Sequence, residues 1–90
     1  MSKLRHHATR EVEQEVPKKY ERKNRFNGES VMLTANEAMI HDRIFRYELQ
    51  ATLEDRAAGI DGHSKYWKKM QKDLSWFMKY NPQAYMVLLD

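Results

Sequence analysis

The chain has no cysteine, only three glycines and two prolines in 90 residues, and no long apolar run. Without cysteine, disulfides and thiolate metal sites are excluded, so the core or a partner has to supply stability. The three glycines form neither a GxGxxG nor a Walker-type Gly-Lys-Ser/Thr arrangement, which removes the familiar phosphate-cradling loops. No segment approaches the roughly 20 apolar residues that span a bilayer, and Met1-Ser2-Lys3-Leu4-Arg5 lacks the apolar run of a signal peptide. A cytoplasmic protein with no membrane contact is the expectation.

What is there suits a small folded unit. Hydrophobic residues at 41% and charged residues at 32% fit a polar-surfaced globule better than a fully disordered chain, and the length allows one domain at most. The net charge of +3 is uneven: residues 1–30 hold eight Lys/Arg against five Glu, and the remaining sixty hold eight of each sign. All the excess positive charge therefore lies in the first third. Such a modest excess permits nucleic-acid contact without demanding it.

Residues 1–30 read as a disordered basic arm. Apolar residues are sparse there (Leu4, Val12, Val16, Tyr20, Phe26), and Pro17 and Asn27-Gly28 punctuate the segment. Thr9 can cap a transient helix over Thr9–Val16, which Pro17 ends. Lys18, Lys19, Arg22, Lys23 and Arg25, interleaved with Tyr20 and Phe26, form either a solvated linker or an arm for an acidic partner or phosphate backbone.

Residues 31–90 read as a small helical domain. Thr34-Ala35-Asn36-Glu37 matches a capping box, and the helix it opens runs to about Ala58, with Gly59 as its stop. Its apolar residues fall on two stripes, Ile40, Ile44, Tyr47 and Ala51 on one and Ala38, Phe45, Leu49 and Leu53 on the other. A surface helix needs only one stripe. The second calls for cover by the C-terminal segment, by a homo-oligomer, or by a larger protein. A short link, Gly59 to His63, leads to a second helix capped by Ser64 and running to about Tyr80, with Trp67, Met70, Leu74, Phe77 and Met78 on one face. Asn81-Pro82 breaks that helix and starts a short terminal one. The expected fold is all-α: an antiparallel helical hairpin (about 34–58 and 64–80) plus a short C-terminal helix, preceded by the arm. A DNA-binding helix-turn-helix fits less well, because its helices and turn are shorter.

The back of the second helix is the most unusual surface. Lys65, Lys69, Lys72 and Lys79 recur at helical spacing with Trp76 among them. Tryptophan beside cations gives contact area and steering, the chemistry of a partner-binding face. The plainer alternative is a solvated lysine face whose tryptophan covers lysine stems or contacts a third helix. As a binding face it suits an acidic protein groove first and a nucleic-acid backbone second. An anionic membrane fits poorly, since a membrane helix carries its tryptophan on the lipid side.

Catalysis finds little support. His6, His7, His41 and His63 are scattered and suggest no metal centre, and the adjacent pairs His41-Asp42 and Glu54-Asp55 read as solvated charge. No catalytic residue and no cofactor is expected. The expected function is a non-enzymatic accessory or regulatory protein that docks on a larger protein or nucleoprotein assembly through a helical surface and the basic arm. The alternative is a nucleic-acid-binding module built from the arm and the Lys/Trp stripe. The terminal Tyr85-Met86-Val87-Leu88-Leu89-Asp90 also resembles, in outline, the C-terminal peptides by which phage and bacterial transcription or replication factors engage a sliding clamp. That resemblance implies a clamp-docking tail, and internal packing of the same residues ranks ahead of it.

Overall fold

Residues 16–90 are described by the computed structural model, so the helix expected over Thr9–Val16 lies almost wholly outside the described residues. The longest element is α1 (Ala35–Ala58), and its ends are those its sequence requires. The Glu37 N–H donates to Thr34 Oγ1 at 3.2 Å, and the Thr34 N–H donates to Glu37 Oε1 at 2.9 Å, a reciprocal capping box. At the other end Gly59 takes the left-handed conformation, φ 71°, and the Ile60 N–H closes back on the Asp55 carbonyl.

The second and third helices, α2 (Tyr66–Tyr80) and α3 (Pro82–Leu88), also follow the sequence. Lys65, not the expected Ser64, holds the N-cap position of α2 and makes no side-chain cap bond, while Ser64 Oγ, one residue earlier, accepts from the Tyr66 N–H at 3.1 Å. Asn81 Oδ1 accepts from the Ala84 N–H at 3.1 Å, with Pro82 at the start of α3. The Asn81 side chain also donates to Glu37 Oε2 at 2.9 Å, so the capping groups of α1 and α3 are bonded to each other.

A two-stranded antiparallel sheet corrects the expectation of a purely helical fold and of a tail reaching residue 30. Strand β1 (Tyr20–Lys23) pairs with β2 (Ser30–Leu33) in the register Tyr20 with Leu33 and Lys23 with Ser30. Asn24 organises the turn. Its Oδ1 accepts from the N–H groups of Phe26 and Asn27, and its Nδ2 donates to the Val87 carbonyl at 3.0 Å, tying the turn to α3. Gly28, at φ 76°, supplies the left-handed residue that returns the chain. The hairpin holds because β2 alternates, sending Leu33 into the core at 0% exposure with Val31 beside it.

The core sits at one end of α1. Ala38, Ile40 and Ile44 from its first half join Leu33, Phe77, Ala84 and Leu88, so β2 and all three helices contribute. The far halves of α1 and α2 extend beyond this cluster, and Ala51 is the buried apolar residue there.

Leu33→Ala tests whether the hairpin belongs to this core. Removing a fully buried leucine should cost about 2–5 kcal/mol, read as a lower urea midpoint of the helical circular-dichroism signal. An unchanged midpoint would show that the hairpin does not belong to this core.

Candidate docking surface

Where α1 and α2 run beyond the core, polar groups hold them together. Arg43 and Asp73 form a two-bond ion pair, Nε to Oδ2 at 2.8 Å and Nη2 to Oδ1 at 2.7 Å, with the carboxylate buried. Hydrogen bonding to Asp73 raises the Arg43 pKa against the opposing effect of burial. Nearer the tip, the Tyr47 and Tyr66 rings stack with centroids 5.7 Å apart. At the tip, Asp55 Oδ1 accepts from the Ser64 N–H, while its Oδ2 accepts from the Gly62 N–H and from Trp67 Nε1–H, all within 2.8 Å. Asp55 is buried, and the loop amides satisfy it.

Beside the stacked tyrosines lies an open groove of about 560 Å³, lined by Arg43, Arg46, Leu49 and Gln50 from α1 and Lys69 from α2. Lys65 Nζ sits 5.5 Å from the centre of the Tyr66 ring and Arg43 Cζ 5.8 Å from that of Tyr47, so cations also cover the aromatic floor. Apart from Lys69 and Lys65, none of these residues was singled out in the sequence as a binding group. By sequence Tyr47 belongs to the first apolar stripe, and Arg43 and Arg46 lie on a different helix from the lysines. Only the hairpin brings them together.

Lys69, Lys72 and Lys79 on α2 and Lys65 just before it are all exposed. Trp76 does not stand clear of the fold. It is partly buried against the core, edge-to-face with Phe77 at 5.2 Å and tilted over Tyr80 at 5.3 Å. In the arm, Lys18, Lys19 and Lys23 are exposed, whereas two arginines are engaged. Arg22 makes a two-bond pair with Asp42, at 2.9 and 2.8 Å. Arg25 lies 4.4 Å from the Phe45 ring centre and 3.3 Å from Glu48. At about 100° per residue, Asp42, Phe45 and Glu48 fall on the flank of α1 away from Arg43, Tyr47 and Gln50. The arm and the lysine face thus meet α1 on opposite sides.

In the two adjacent pairs expected to be solvated charge, Asp42 and Glu54 are exposed but His41 and Asp55 are buried. His41 is buried, and its Nδ1 lies 2.9 Å from Asp42 Oδ1, which fits an Nδ1–H donated to the carboxylate. Its Nε2 is buried without a hydrogen-bond partner among the described residues. Asp55 is the loop anchor described above, and Glu54 accepts from the Ser64 hydroxyl at 2.6 Å. Among the described residues no group of three or more His, Asp or Glu side chains is placed to hold a metal ion, and no helix is long and apolar enough to cross a membrane. In the C-terminal segment Leu88 is buried in the core and Met86 is exposed. Compared with protein-family models, curated proteins and solved structures, the chain matches none.

Hydrogen bonding to Arg22 lowers the Asp42 carboxyl to about 2 from 3.8, burial opposing and His41 assisting. For Asp55, burial pushes the pKa up, but the bonds from Trp67, Ser64, Gly62 and His63 together leave it below 3.8. Both values are depressed on folding, so both carboxylates stabilise the fold above the unfolded value and lose that contribution as pH falls through the folded one. Stability should hold down to about pH 4 and then decline toward the Asp42 value of about 2. Urea midpoints across that range should show it, with a shallower decline in Asp42→Asn; an identical decline would assign the acid sensitivity to other groups. Trp76→Ala should lower stability by about 1–3 kcal/mol in a thermal melt. No loss would leave Trp76 free to serve as a contact residue.

Proposed function

We propose that the protein is a non-enzymatic docking factor that attaches to a larger protein or nucleoprotein assembly through the groove between α1 and α2. One observation carries this reading: Arg43, Arg46 and Lys69 converge on the stacked pair Tyr47 and Tyr66, with exposed Leu49 at the edge of the same groove. Aromatic and arginine side chains at a concave site are the composition of a binding hot spot. Of these cations Arg46 and Lys69 lie in no ion pair among the described residues, and they favour an anionic partner and speed its approach.

A protein partner suits the groove better than nucleic acid. Duplex DNA presents about one negative charge per 1.7 Å of axis, and Arg43 is already neutralised by Asp73. The cations left over are few, and they alternate with apolar contact area that a phosphate backbone does not use. The lysines of α2 extend the surface through Lys65 and Lys72, and the exposed arm lysines supply a second, separate contact.

Charge reversal tests the reading directly. Arg46→Glu with Lys69→Glu changes two surface side chains, so the helical signal should persist. The double variant should lose, in quantitative affinity capture from the native host, a specific set of proteins that the parent chain retains. If both chains capture the same proteins, the groove is not the docking site. Tight binding of duplex or single-stranded DNA or RNA that weakens steeply with salt would instead favour a nucleic-acid module.

A further inference from the structure

The outer face of α1 carries a second pattern that the groove touches only at its edge. Arg46, Leu49, Leu53 and Arg56 follow one another at steps of three, four and three residues, which places them in one stripe along the helix. Leu49 is 59% exposed and Leu53 53%. Gln50 and Ala57, also exposed, fill the remaining positions of this stripe. A lone exposed leucine is ordinary, but two in succession one turn apart make a continuous apolar strip.

The charge within that strip is of one sign, and Asp42, one turn before Arg46 on the same line, is paired with Arg22. Arg46 and Arg56 bracket the leucines, and among the described residues neither lies within ion-pair distance of a carboxylate. The neighbouring acids of α1 are occupied elsewhere: Asp42 by Arg22, Glu48 by Arg25, Glu54 by Ser64, and Asp55 by the loop amides. An apolar strip with unpaired arginines at both ends complements a surface with apolar residues between acids.

A second copy of the chain does not have that character. Antiparallel pairing of two α1 helices on this strip sets Leu49 against Leu53, but it also sets each Arg46 against the other copy's Arg56. Parallel pairing sets Arg46 against Arg46. Both arrangements bring like charges together at each end, with no acid on the strip to relieve them.

We propose that this strip is the seat of an acidic amphipathic helix from the partner protein, lying along α1 with its apolar side on Leu49 and Leu53 and its carboxylates on Arg46 and Arg56. The strip spans about 15 Å at 1.5 Å per residue, about three turns, which suits helix-in-groove recognition through anchors at i, i+3/i+4 and i+7. Lys69, across the groove from Leu49, offers a further cation to the same helix. The inference rests on the docking reading above and names its partner's chemistry.

The test uses the full chain and a labelled, alanine-based synthetic peptide of about 18 residues, with leucines at i, i+4 and i+7 and glutamates on both flanks. A scrambled peptide of identical composition, lacking the stripe, is the control. Fluorescence anisotropy should show saturable binding, about tenfold tighter for the striped peptide. Leu49→Gln with Leu53→Gln keeps two good helix formers at exposed sites and should abolish the difference between the peptides. Arg46→Glu with Arg56→Glu should weaken the striped peptide by about tenfold or more.

Equal affinity for the striped and scrambled peptides overturns the amphipathic-helix inference and leaves the charged groove intact as a docking site. Failure of both peptides to bind, together with unchanged capture by the Arg46→Glu, Lys69→Glu variant, removes the docking reading as well. A dimer in sedimentation that the leucine substitutions dissolve would make a second copy the occupant and overturn the proposal.

Discussion

Helix α1 is longer than the core it packs on, and most of the structure's other features answer that mismatch. Its 24 residues extend about 36 Å, while its contributions to the central cluster, Ala38, Ile40 and Ile44, all come from the first half. Beyond Ile44 the helix packs mainly on α2, with Arg25 set against Phe45 and Glu48 on its other flank. Apolar burial there reduces to Ala51, so the joining of α1 to α2 passes to polar groups of defined geometry.

Those groups act in sequence along the hairpin. Arg43 and Asp73 close it where the core ends, and Tyr47 on Tyr66 continues the contact. Asp55 then gathers the amides of the connecting loop and the Trp67 indole. A carboxylate at this position does what an apolar residue does not, because loop N–H groups turned inward need an acceptor. At the other end the caps of α1 and α3 are linked through Glu37 and Asn81, and Asn24 attaches the hairpin turn to α3. The small core is thus framed by side-chain to backbone bonds that give each element one position.

The same mismatch leaves surface available. A helix longer than its core presents much of its surface to solvent, and here its faces differ in chemistry. The flank toward α2 is basic and aromatic, the outer face apolar between arginines, and the flank toward β1 carries the engaged Arg22 and Arg25. A projecting hairpin with such faces fits the docking reading proposed above.

Local signals in the sequence determined the helices. The capping box at Thr34, Gly59 and Asn81-Pro82 each act within a few residues, so their effect is visible without knowing what packs where. The two apolar stripes of α1 were legible for the same reason, and so was the exposure of Lys65, Lys69, Lys72 and Lys79. The β hairpin was not. Tyr20-Glu21-Arg22-Lys23 is a polar strand with little pattern of its own, and it is held by long-range contacts: Leu33 in the core, Asn24 on Val87, Arg22 on Asp42. Tertiary structure alone decided which charges are spent and which remain. Arg22, Arg43 and Asp55 find partners distant in sequence or in the connecting loop, Trp76 leans on the core, and Arg46 and Arg56 keep open faces. Charge and apolar character belong to the residue, but their availability depends on what the fold brings alongside, and no local spacing records that.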